Sequence, residues 1–141
     1  MGHEAAHEQL LQLVKATRVD VLVLARFTQI VRTEVCELVP TINTHHSLLP
    51  AFVGARPYHQ AHERGVTEIG ATSHYVTPEL DQGPIIAQRS TTIEHLAPCP
   101  TPAQLATEGR SLEASVLVTA VTRHCQGELL RYRNRVVRIS P

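Results

Sequence analysis

The sequence predicts an α/β domain, with strands and helices alternating along the chain and a hairpin at its end. Three observations carry that expectation. Val19 to Ala25, VDVLVLA, is nearly all apolar, as a parallel strand covered on both faces would be. Helix-periodic stretches alternate with apolar or alternating ones from residue 4 to about 93. A long helix-periodic segment then follows a capping signal and ends at a glycine, before a strand–turn–strand pattern.

Glu4 to Thr17 has Ala6, Leu10, Leu13, Val14 and Thr17 at helical spacing, which predicts an amphipathic helix with that face inward. Arg26 to Ile30 is the loop at the carboxyl end of the Val19–Ala25 strand. Thr33 to Leu38 is a short helix, and Thr41 to Thr44 a short strand. Pro57 to Arg64 has Pro in the first turn of a helix and Gly65 just past its end. Thr67 to Val76 alternates as a strand does, and Pro84 to Ile93 is the next strand. Glu94 to Pro100 is a loop. Thr101-Pro102-Ala103-Gln104 has capping-box spacing for a helix running to about Cys125, and Gly127 stops it. Leu129 to Ile139 is a hairpin turning near Asn134, with its arginines outside.

A chain of 141 residues holds one domain at most. Its 43% hydrophobic content and balance of 13 basic against 13 acidic residues fit a globular chain, and neutrality argues against a nucleic-acid partner. No apolar run reaches membrane-spanning length, and the first residues show no signal-peptide pattern. Cys36, Cys99 and Cys125 are odd in number and lack CxxC spacing, so neither a disulfide framework nor a zinc site is indicated and a reducing cytoplasm is the default.

The chemistry-bearing stretches are Thr41 to Gly54, TINTHHSLLPAFVG, and Leu80 to Ile85, LDQGPI. Asn43, His45 and Asp81 supply an amide, an imidazole and a carboxylate. The amide can donate to a developing oxyanion, the imidazole can move a proton, and the carboxylate can orient and charge the imidazole. His45 lies two residues beyond Asn43, so on an extended segment both point to the same side. From the residues alone, a histidine pair capping a loop and an aspartate starting a turn account for the same letters. His46 has two readings, ordering a water or packing within the loop. His74 either faces the same cleft or is a satisfied buried histidine. His59 and His62, at i and i+3, raise a metal site with His45 and His46, but the spacing matches no motif such as HExxH.

Three separated motifs in order, NTHHSLLP, GARPYHQAHERGV and IGATSHYVTPELDQGPIIAQ, resemble the formyltransferase-type catalytic domain, and within it the formyltetrahydrofolate deformylases. The doubled His45-His46 and the GARPYHQA run lean towards that branch rather than towards the transferases that make formylglycinamide ribonucleotide. The resemblance implies a Rossmann-like formyltransferase fold with a mostly parallel sheet. It implies hydrolysis of 10-formyltetrahydrofolate to formate and tetrahydrofolate, with no cofactor and no catalytic metal. Water, activated through His45 and Asp81, attacks the formyl carbon while Asn43 and His45 hold the oxyanion. The pteridine site is expected around Leu24, Arg26, Phe27, Thr28 and Ile30, closed by Val76 to Leu80, with His46 and His74 beside it.

In that family several strand–helix units precede the strand that matches Val19–Ala25, and a regulatory amino-acid-binding domain often precedes those. The sequence therefore resembles the C-terminal half or so of the catalytic domain. The expectation is a truncated frame, a fragment, or a chain that covers its bare strand by self-association, since an uncovered apolar edge is an aggregation template. A catalytically silent remnant is the rival reading.

Overall fold

The computed structural model describes residues 2–27 and 29–139. The chain runs α1 (His3–Thr17), β1 (Leu22–Ala25), α2 (Thr33–Leu38), β2 (Thr41–His45), α3 (Pro57–Arg64), β3 (Glu68–Tyr75), β4 (Ile85–Thr92), α4 (Pro102–Cys125), β5 (Leu129–Tyr132) and β6 (Arg135–Arg138). The α/β architecture is the one expected. Strands β1 to β4 form one sheet in chain order, and β5 and β6 form the C-terminal hairpin. Parallel pairing is confined to β1 and β2; β3 runs antiparallel to β2, and β4 to β3.

The pleat of β2 sorts the interior. Thr41, Asn43 and His45 point to one face, Ile42 and Thr44 to the other. On the first face, Leu22 and Leu24 of β1 pack with Leu11 and Val14 of α1 and with Val31, Val35 and Val39 around α2. On the second, Ile42 and Tyr75 pack on Ala120 of α4. A third cluster joins Tyr58 and Ala61 of α3 to Ile69, Ile93 and Leu105. Each fully buried aliphatic side chain contributes about 1.5–3 kcal/mol. The reciprocal capping box of Thr101 and Gln104 starts α4 as expected, and α4 then lies across β2, β3 and β4.

Two expectations need correction. The inward face of α1 is Leu10, Leu11 and Val14, whereas Leu13 is 59% exposed. Both stripes have helical period, and the position of α2 selects between them. The strand expected over Val19–Ala25 is only β1, and it is not covered on both faces: Val23 is 40% exposed. It is an edge strand that α4 leaves bare, and among the described residues nothing pairs with its outer edge. The hairpin arginines also divide. Arg138 pairs with Glu128 at 3.0 Å, but Arg131 lies over the Tyr75 ring, 4.6 Å from its centroid. No described helix is long and apolar enough to cross a membrane.

Candidate active site

The carboxyl end of β2 is where the structure concentrates buried polar groups. Every residue of this strand is buried, because β1 and β3 flank it and helices cover both faces. Asn43 is therefore held rather than free. Its Nδ2 donates to the Phe27 carbonyl at 2.8 Å, and its Oδ1 is buried without a partner. A carbonyl can only accept, so the amide orientation follows from that bond. The second Nδ2 hydrogen remains for a ligand.

The same logic places a hydrogen on one nitrogen of His45. Nε2 lies 2.8 Å from the Phe52 carbonyl and must carry hydrogen. Nδ1 then faces Asp81 Oδ2 at 3.5 Å, with both side chains almost wholly buried. The Gly54 N–H donates to that same Asp81 oxygen at 2.9 Å. The backbone is shaped for this arrangement: Arg26, Phe52 and Asp81 all have positive φ, between 53° and 56°. Aspartate tolerates that region, while arginine and phenylalanine are held there at a cost of about 1–3 kcal/mol each. Gly83 completes the turn, since a Cβ there would lie 1.6 Å from the Tyr75 carbonyl oxygen.

His74 is the cross-strand partner of Asn43 and shares its face. Its Nδ1–H donates to the Tyr75 carbonyl at 2.9 Å, leaving Nε2 buried and unpartnered. Burial depresses its pKa below the ordinary imidazole value, so the ring stays neutral and Nε2 is an acceptor. Asn43, His74 and Asp81 form the polar side of one narrow cavity. Phe27, Ile30 and Val31 make one apolar wall, and Val76 and Leu80 the facing one. A ligand entering it meets two buried acceptors that need donors. Asp81 also borders an open cleft beside Pro50, Gln82 and Arg135, so it divides a closed space from an accessible one.

The residues expected at the pteridine site thus separate. Phe27, Ile30, His74, Val76 and Leu80 gather with Asn43 and Asp81. Leu24 packs into the α1–α2 core instead. Thr28 lies outside the described residues. Arg26 and His46 go to the opposite face of the sheet, because the backbone turns at Arg26 and because His46 alternates with His45. There they meet Glu113 of α4, which the sequence reading did not single out. Arg26 Nε donates to Glu113 Oε2 at 3.1 Å, and the Tyr58 hydroxyl donates to Oε1 at 2.6 Å. His46 Nδ1 stands 3.6 Å from Oε1. The signal was present: Leu105, Gly109, Glu113, Val116 and Ala120 form the buried stripe of α4, with one carboxylate in it. His59 and His62 do not join these histidines; His62 Nδ1 bonds the Pro100 carbonyl at 2.9 Å.

Residues 2–121 match the formyl transferase family model, and the chain belongs to that family. Among its relatives, the formyltetrahydrofolate deformylase of Corynebacterium sp. (strain P-1) is 46% identical over 94% of this chain and 46% of its own length. That of Synechocystis sp. is 48% identical over 90% of this chain and 44% of its own length. The chain thus spans about half the length of these curated relatives. In structure it is similar to a formyltetrahydrofolate deformylase from Pseudomonas syringae pv. tomato, with TM-score 0.89, 41% identity and coverage of 99% of this chain and 46% of the other. Glycinamide ribonucleotide transformylase 1 from Symbiobacterium toebii also superposes with TM-score 0.89, at 31% identity over 99% of this chain and 65% of its own.

Proposed function

We propose that this chain carries the reacting half of a formyltetrahydrofolate deformylase, which hydrolyses 10-formyltetrahydrofolate to formate and tetrahydrofolate. The observation that carries the reading is the buried His45–Asp81 pair at the end of β2, beside the cavity that holds Asn43. A formamide carbonyl placed there meets the free Nδ2 hydrogen of Asn43, a donor of the kind worth about 2.7–4 kcal/mol to a transition state. Water adds to the formyl carbon, the carbonyl electron pair becomes the oxyanion, and collapse expels the N10 amine with a proton delivered through His45 and Asp81. Phe27, Ile30, Val76 and Leu80 give this space apolar walls; at about 10 Å³ it holds a single water, so a flat heteroaromatic ring enters only as those walls part. The acceptors Asn43 Oδ1 and His74 Nε2 favour a ligand that brings hydrogen-bond donors.

The reading includes no cofactor, no nucleic-acid partner and no membrane partner. The free cysteines Cys36, Cys99 and Cys125 are in keeping with a reducing, cytoplasmic setting. A further strand, from a longer chain or a second copy, covers the outer edge of β1. A second reading, formyl transfer to an amine, is favoured by the likeness to the Symbiobacterium transformylase. The two are separated by supplying 10-formyltetrahydrofolate with and without glycinamide ribonucleotide. Formate release without the amine is expected. Turnover that appears only with the amine would assign a transferase instead.

A further inference from the structure

The resemblance places activation of the attacking water on His45 and Asp81, but the geometry of His45 argues against its taking the water's proton. Both nitrogens of His45 are engaged, Nε2 by the Phe52 carbonyl and Nδ1 by Asp81. A neighbouring imidazole is His46, which turns to the α4 side at the end of β2 and whose ring centroid lies 6.4 Å from that of His45. Its Nδ1 faces Glu113, and its Nε2 has no partner among the described residues. The side chain is 16% exposed, enough to meet a water but not to be washed by solvent.

This second carboxylate–imidazole pair is built, not incidental. Glu113 is almost buried and held on both oxygens by Arg26 and Tyr58. The Tyr58 ring also packs on His46, with centroids 5.6 Å apart. Gly109, one turn before Glu113 in α4, makes room for that hydroxyl: a Cβ there would lie 1.9 Å from it. Three parts of the chain, the loop after β1, α3 and α4, therefore converge to hold one imidazole near the His45–Asp81 pair.

We propose that His46 is the catalytic base for the acceptor water, and that Glu113 is the positioning residue that orients it. The inference rests on the hydrolytic reading and deepens it. As the water oxygen bonds the formyl carbon, one of its protons passes to His46 Nε2 and the carbonyl pair moves onto oxygen. On collapse the C–N bond breaks and N10 leaves with a proton given by the His45–Asp81 pair; the formic acid left behind ionises and returns its proton to that pair, and His46 releases the proton it took to solvent. No oxidant, reductant or further reactant is needed.

The groups facing His46 are Glu113 from α4, Tyr58 from α3, Arg26 after β1, His45 on β2 and Asp81 after β3. Burial holds the ring below the ordinary imidazole value; Glu113 pulls upward, while Arg26 and His45 pull downward. It is thus neutral, and a base, at neutral pH.

The test is the pH profile of formate release at saturating 10-formyltetrahydrofolate. Glu113→Gln is expected to lower kcat about tenfold with KM unchanged. It also moves the acid limb to lower pH, because the carboxylate favouring the protonated ring is gone. His46→Gln is expected to lower kcat about a hundredfold and abolish that limb. If Glu113→Gln lowers the melting temperature but leaves the rate and the limb in place, Glu113 is only a clamp between α3 and α4 and the inference is overturned. Should Glu113→Gln fail to fold, His46→Gln decides alone, and an unchanged limb refutes the proposal. Formate release by the parent protein that neither substitution touches overturns this inference only. No formate release at all, with transfer to glycinamide ribonucleotide, overturns the hydrolytic reading and this one with it.

Discussion

At the scale of single residues, the site works by assigning each polar atom one partner. Asp81 Oδ2 takes both the Gly54 N–H and the His45 ring, so its charge acts on a proton rather than on the pteridine. Asp81→Asn is therefore expected to reduce turnover more than tenfold, a loss above about 1.4 kcal/mol, with folate affinity nearly unchanged. Retention of over a tenth of the parent rate would remove Asp81 from the mechanism. His46 and His74 make a second case. Burial depresses both below their ordinary value of 6.5, so the unfolded chain takes up protons that the native state refuses. Their stabilising contribution is complete above that value and is lost as the pH falls through the folded pKa values. Thermal melts between pH 7.5 and 5 should show stability falling on the acid side, less steeply in His74→Asn. A flat curve would show that neither ring is held neutral.

At the scale of elements, the turn between β3 and β4 is the most constrained piece. The Tyr75 N–H donates to the Pro84 carbonyl at 2.9 Å, and Gly83 passes against the Tyr75 carbonyl. Backbone cannot yield as a flexible side chain can. Gly83→Ala should displace the turn, carry Asp81 away from His45 and cost about 1–3 kcal/mol through lost buried hydrogen bonds. The check is a lowered melting temperature together with lost activity. A variant with parent activity would show that the turn has slack. Helix α4 is the other organising element. Its stripe from Leu105 to Ala120 packs the sheet, and the same stripe delivers Glu113 to Arg26, Tyr58 and His46.

At the scale of the molecule, the sheet is asymmetric. The sheet runs outward from β1, whose outer edge has no partner among the described residues; Val23 within it is 40% exposed and Val19 just before it 43%. Such an edge is a template for strand addition. A covering strand would pair that open row of backbone groups and remove the exposed valines from water, which favours association. The 141-residue polypeptide studied alone is therefore expected to associate through β1 or to gain activity when a covering segment is supplied. Sedimentation at low concentration beside an activity assay checks this. A fully active monomer would mean that β1 needs no cover.

What the sequence determined by itself was local. The capping box at Thr101, the Pro57 start and Gly65 stop of α3, and the hairpin turn near Asn134 all rest on interactions within a few residues, and they stand where their residues predict. The spacing of Asn43 and His45 likewise placed both on one face, because a strand alternates. Tertiary structure decided what depends on partners distant in the chain. It chose Leu11 over Leu13 as the inward face of α1, since two stripes had equal period and only the position of α2 separates them. It sent Arg26 and His46 across the sheet to a carboxylate 87 and 67 residues further on, where periodicity carries no information. And it set Val23 half in solvent, because whether an apolar strand is interior or edge depends on which strands lie beside it, not on its own composition.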